Sequence, residues 1–150
     1  MDTRADPVRS YLNSVLECRR EARRTRRKRD QLEARAMSIT SQVTGMPRGG
    51  NADRDALLAA LADVSSDYYR RLADAERHEL EVLRFIDRIP IPMHRSILRL
   101  RYVDCRKWSS VLAELQRSDV SISRRTMLSM HGKALSAARE LYREVFGNDG

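Results

Sequence analysis

Apolar positions recur at three- and four-residue steps over two long stretches of this chain, and helix breakers are confined to the places between them. From Val8 to Thr44, and again from Asn51 to Ile89, there is no glycine or proline. In the first stretch one heptad position runs Val8, Val15, Ala22, Arg29, Ala36, Val43 and the other runs Tyr11, Cys18, Thr25, Leu32, Ile39. This is the seam of a coiled-coil-like helix, weak in its middle at Ala22, Thr25 and Arg29. The second stretch begins at Asn51 or Asp53, both good caps. Its seam includes Leu57, Leu61, Val64, Tyr68, Leu72, Ala75, Val82, Phe85, Ile86 and Ile89. Each helix exceeds 30 residues and is therefore about 50 Å long. The break between them, Gly45 to Gly50, is short, which predicts an antiparallel hairpin over residues 1–89. Leu12, Leu16, Leu58 and Leu83 fall beside the seams. They predict that two hairpins pair into a homodimer, or else that these leucines pack on the remainder of their own chain.

Pro90 and Pro92 form the second break. After it the pattern shortens. Met93 to Val103 reads as one helix, Asp104 to Lys107 as a polar turn and Trp108 to Leu115 as a short amphipathic helix. Gln116 to Ser121 reads as a second turn, with Ser121 or Ser123 capping a final helix. On that helix Met127, Met130, Ala134, Ala138 and Leu141 share one face, and Arg124, Arg125, Ser129, Lys133 and Ser136 lie on or near the other. A helix apolar on one side and cationic on the other packs on its own domain while facing phosphates and base edges. The expected fold is all-α: a long antiparallel helical hairpin followed by a small three-helix helix-turn-helix domain, residues 93–146. The core of that motif is expected from Leu100, Tyr102, Trp108, Val111, Leu115, Met127, Met130 and Ala134.

Charge sharpens this picture. The formal net charge is +8 and it is unevenly spread. Residues 1–40 carry 11 basic and 6 acidic side chains, residues 51–89 carry 6 and 9, and residues 93–146 carry 11 and 5. Two basic segments flanking an acidic one favour a polyanionic partner, double-stranded DNA above all. The run Arg19 to Arg29 holds eight basic residues and one acid. It reads either as an arginine-rich helix for nucleic acid or as a solvated face paired with Asp63, Asp67, Asp74 and Glu76 of the second helix. Cys18 and Cys105 stand far apart without metal-ligand spacing, and neither His78 nor His94 is at ligand spacing from His131. No metal or other cofactor is expected. With no phosphate-binding glycine loop and no nucleophile beside a placed base, neither is catalysis. No apolar run approaches the roughly 20 residues of a membrane span, and the N-terminus lacks the apolar core of a signal peptide. A cytoplasmic protein with no membrane contact is expected.

Candidate DNA contacts follow from the docking geometry of the motif. Arg124 and Arg125 open the last helix, where base edges or phosphates are met. Ser129 and Lys133 continue that face. Leu128 reaches a thymine methyl or folds onto the core. His131 packs or meets a phosphate. Arg106 and Lys107 precede the short helix and can hold phosphate. Gly132 within a helix costs about 1 kcal/mol relative to alanine, which calls for a close approach by DNA or by the short helix.

Several of these segments resemble a known family. Leu100-Arg101-Tyr102, Trp108-Ser109-Ser110-Val111, Ser123-Arg124-Arg125 and His131-Gly132-Lys133-Ala134-Leu135 resemble region 4 of bacterial sigma factors. Together with Met46-Pro47-Arg48-Gly49-Gly50 they look more closely like the phage and prophage ArpU-like transcriptional regulators. The resemblance implies a phage-encoded regulator of a late or lysis operon, acting in the bacterial host cell, whose sigma-like module also contacts RNA polymerase. Alternatives are a small terminase-like DNA-packaging protein and an interaction protein that docks only on polymerase. The chain departs from the family in three places. Cys105 stands where a glycine is common, Leu112 replaces an alanine, and the turn around Arg117 to Val120 is longer than the tightest versions.

Overall fold

A computed structural model describes residues 6–42 and 51–147, with the side chains of residues 40–42 and 51 outside the description. The loop containing Met46-Pro47-Arg48-Gly49-Gly50 and the seam residue Val43 lie outside the described residues. The elements are α1 (Pro7–Gln42), α2 (Asn51–Asp87), α3 (Pro92–Leu98), a π-helical turn (Arg99–Val103), α4 (Trp108–Ser118) and α5 (Arg124–Phe146). The fold is all-α, with no strand among the described residues.

The chain forms two compact units. One comprises Met1–Glu17 with Arg77–Gly150, the other Cys18–Glu76. The expected division into 1–89 and 93–146 is therefore corrected. The physical reason is a core that the sequence pattern split in two. Val8, Leu12 and Val15 of α1 and Val82, Phe85 and Ile86 of α2, with Ile89, bury against Leu98, Tyr102, Val103, Ala134, Leu135, Ala138 and Leu141. Leu12 is fully buried there and Leu83 packs at the margin. These two leucines thus take the own-chain alternative, not the dimer surface. A second core in the same unit gathers Ile97, Val111, Leu115, Ile122 and Met127, with Met93, Leu100, Trp108, Leu112 and Met130 half-buried around it.

Local chemistry sets the ends of these elements. Asp6 caps α1: its Oδ1 accepts the Val8 amide at 3.1 Å, and Pro7 fills the first helical position, where a missing N–H costs nothing. The other carboxylate oxygen accepts two bonds from the Arg139 guanidinium, at 3.0 and 2.7 Å, tying the start of α1 to α5. Partial burial would raise the Asp6 pKa, but these bonds and the nearby charge hold it below the ordinary value. The helix expected from Met93 starts one residue earlier, because Pro92 is pre-set for a first turn. It does not run on as α-helix to Val103. From Arg99 it widens, and the Asp104 amide donates to Arg99 O at 2.9 Å. The wider turn delivers Tyr102 and Val103 to the first core while Ile97 stays in the second.

In the unit Cys18–Glu76, α1 and α2 meet in opposite order. Glu21 pairs with Arg71 at 2.8 Å, and further along α1 Arg29 bonds Tyr69 Oη at 3.4 Å. In the other unit Tyr11 lies edge-on to Phe85 and Ser14 bonds His78, again in descending register. Among the described residues the buried apolar positions of Cys18–Glu76 are mostly small, Ala22, Ala36 and Ala75 with Leu57. Arg29, the one charged seam residue, is half-buried, its guanidinium 5.2 Å from the Tyr68 ring and 5.9 Å from that of Tyr69. Cation–π contact explains how the seam accepts it.

Cys105 has φ 54°, in the left-handed region that favours glycine. Replacing Cys105 with glycine is expected to raise stability by about 1 kcal/mol, read as a higher urea midpoint at unchanged m-value. No gain would mean that the thiol, 3.5 Å from Tyr102 O and 3.6 Å from Val103 O, offsets the backbone strain.

Candidate nucleic-acid interface

The candidate surface is the N-terminal half of α5, and its orientation starts with Ser123. The Ser123 hydroxyl accepts the Thr126 amide at 3.1 Å and so caps the helix. The turn before it, residues 119–123, is held at both ends. Asp119 Oδ1 accepts the Ser121 amide at 3.0 Å and its hydroxyl at 2.6 Å, which holds the Asp119 carboxyl below its ordinary pKa. Gln116 Nε2 donates to Ile122 O at 2.9 Å while the Ile122 side chain is buried. α4 runs to Ser118, beyond the expected end at Leu115.

With the cap in place, Met127, Ala134, Leu135 and Ala138 are buried. Helical geometry then turns Arg124, Arg125, Leu128, Ser129, Gly132, Lys133 and Ser136 outward, and all are exposed. Arg125, Ser129, Gly132 and Ser136 follow at i, i+4, i+7 and i+11, one straight stripe. Leu128 beside it is 40% exposed, so it does not fold onto the core. Among the described residues no carboxylate pairs with Arg124, Arg125 or Lys133, and α5 has no acidic residue in its first turn. Two cations thus stand next to the positive end of the helix dipole with no ion-pair partner among the described residues to offset the repulsion. A Cβ built on Gly132 meets nothing within 4 Å. Contact with α4 therefore does not account for this glycine.

Arg106 and Lys107 precede α4 and are exposed. Arg106 approaches Glu114 at 3.6 Å and is already partly neutralised. Among the described residues no hydrogen bond or ion pair links Arg106 or Lys107 to α5. Of the eight sequence-predicted DNA contacts, six lie on α5, and one of these is turned inward.

That one is His131, and a phosphate contact for it is corrected. It is 7% exposed. Its Nε2 and the Tyr102 hydroxyl share a hydrogen bond of 2.9 Å, and its ring stands edge-on to Trp108 at 4.6 Å. Burial, aided by the positive charges of Arg9 and Arg101, pushes the imidazole down to about 4. Trp108 is half-buried, with the Arg101 guanidinium over its ring at 4.6 Å from the centre. Arg101 in turn donates to Arg106 O at 2.9 Å. Tyr102, His131, Trp108 and Arg101 form one chain of ring and cation contacts between the two cores.

No known protein family, no curated protein and no solved structure matches this chain. The site therefore stands on its own geometry. One feature of it was missed in the sequence. Val120, 85% exposed, crowns the turn before α5. The Asp119-Val120-Ser121 turn itself was legible as an aspartate whose side chain bonds the backbone two residues on. Among the described residues no group of three or more His, Cys, Asp or Glu is placed to hold a metal ion, and no helix is long and apolar enough to cross a membrane.

Two measurements test this arrangement. His131 titrates near 6.5 when unfolded and near 4 when folded, so its contribution to stability is complete above pH 6.5 and is lost as pH falls towards 4. Unfolding free energy is expected to decline between pH 6.5 and 5 in the parent and to stay flat there in His131→Gln; equal slopes would show an accessible imidazole. Gly132→Ala, entering open space in mid-helix, is expected to raise stability by about 1 kcal/mol, seen as a higher melting temperature.

Proposed function

We propose that this chain is a sequence-specific duplex-DNA-binding transcriptional regulator that reads the major groove with the N-terminal half of α5. The observation that carries the reading is the exposed stripe Arg124, Arg125, Leu128, Ser129 and Lys133, which lacks a carboxylate partner among the described residues. Arginine donates to guanine edges in bidentate fashion, Leu128 suits a thymine methyl, and Lys133 suits a phosphate. The short α4 preceding α5 after a braced turn supports a helix-turn-helix reading. An exposed glycine in the middle of the stripe fits close approach by a groove wall.

The finer assignment, a phage-encoded regulator of a late or lysis operon that also touches RNA polymerase, rests on the resemblance of the α3–α5 segments to sigma region 4. Pairing of two copies is part of the same proposal. Its support is apolar surface in Cys18–Glu76, where Met37 is 68% and Leu58 43% exposed.

Selection of bound duplexes from a random pool is expected to enrich one motif; no enrichment together with salt-insensitive retention would sink the proposal. Arg125→Ala is expected to weaken binding to that motif by about 1–3 kcal/mol and to relax base choice at one position, whereas Lys133→Ala lowers the salt slope by about 1 without changing the preferred sequence. Gly132→Ala adds a discriminating outcome, a more stable protein that binds its motif less well.

A further inference from the structure

We propose that α1 carries a second polyanion-binding surface, centred on Arg23, Arg24, Arg26, Arg27 and Lys28, that grips the phosphate backbone of double-helical nucleic acid without reading bases. The proposal is independent of α5, because it concerns the unit Cys18–Glu76 alone.

All five side chains are exposed, and among the described residues none has an ion-pair partner. At about 100° per residue they cover an arc of about 200° opposite the buried seam. The acids around them are committed elsewhere. Glu21 pairs with Arg71 at 2.8 Å and Asp30 approaches Arg29 at 3.7 Å. Asp67, an expected partner of this run, instead pairs with Arg70 and Arg71 of its own helix, at 2.5 and 3.1 Å. The Glu21–Arg71 pair even has the reverse polarity, with α2 supplying the cation. Pairing with Asp67 therefore does not neutralise the run.

The chemistry of the arc selects the partner. Between Arg19 and Arg29 there is no aromatic residue on which an unpaired base could stack, and no Trp, Phe or Leu to enter a lipid interface. What remains is dense, fixed positive charge on a rigid helix, suited to regularly spaced phosphates. Arg23 and Arg26 also rim a groove of about 200 Å³ lined by Ala22, Tyr68, Leu72 and Ala75, its one aromatic ring, Tyr68, being occupied by the Arg29 guanidinium 5.2 Å from the ring centre. Their stems lie along apolar surface, which holds the guanidinium groups in place.

The test uses the full chain carrying Arg124→Ala and Arg125→Ala, so that α5 does not decide the outcome, and a 20-base-pair duplex of arbitrary sequence. In this background Arg23→Gln, Arg24→Gln, Arg26→Gln and Arg27→Gln together are expected to reduce affinity roughly tenfold or more and to make the salt slope shallower by about three to four. The same four positions changed to lysine are expected to retain both. If the fourfold glutamine protein loses helicity by circular dichroism, Arg23→Gln with Arg27→Gln and Arg24→Gln with Arg26→Gln serve instead, each lowering the slope by about two. Unchanged binding by the glutamine variants overturns the proposal. So does binding restricted to phosphatidylserine vesicles or to single strands, or equal loss in the lysine variant.

Discussion

Close contact at Ala134 and Ala138 governs the orientation of everything else in the unit that carries α5. Both alanines are fully buried, in one core with Leu135 and with apolar residues from the ends of α1 and α2. Small side chains at that contact let helix backbones approach, and close-packed interiors tolerate little change in volume. Once this side of α5 is committed, the opposite side has no freedom. The cationic stripe faces outward because the alanine face packs inward, and the Ser123 cap fixes where the stripe begins.

The chain of ring contacts adds rigidity to that arrangement. Tyr102 belongs to one core and Trp108 borders the other, with His131 between them and the Arg101 guanidinium closing the outer end. A neutral imidazole suits this role, since a charged one would sit between apolar groups and near Arg9 and Arg101. The residue that looks most like a functional histidine in the sequence therefore works as an internal strut. Its neighbours on α5, Leu128 and Gly132, are the outward ones.

Helical character and the inward faces were legible because they depend on periodicity. The seam from Val8 through Ala36 and the face from Met127 to Leu141 are buried or half-buried where their spacing puts them. The unit boundary was not legible. Pro90 and Pro92 mark a turn, and a turn in the sequence carries no information about whether Leu12 and Val82 share a core with Ala138. Leu12 and Leu83 looked like outer-edge leucines because a two-helix seam leaves them unused; a third packing partner, α5, uses them. For His131 the sequence left packing and a phosphate contact both open, for a related reason. That residue lies one residue from the exposed Gly132, and a helix-face assignment at the edge of a buried arc turns on a few tens of degrees. The charge of the Arg19 to Arg29 run was plain, but its fate depended on where Arg70 and Arg71 stood relative to Asp67, which spacing on α2 alone could have indicated.

The π-helical turn at Arg99–Val103 has a consequence for how much length variation this region can bear. A turn of this kind holds one more residue than an α-helical turn, so the stretch between α3 and α4 contains a residue that ordinary winding would not need. A further residue inserted there would have no wider turn to absorb it and would swing all that follows by about 100°. Tyr102 and Val103 would leave their core together, and Cys105 would no longer meet the bend that demands its backbone geometry. Insertions are thus excluded from this short stretch, whereas loss of its one extra residue returns ordinary winding, and substitutions of the exposed Arg99 that keep its spacing remain open.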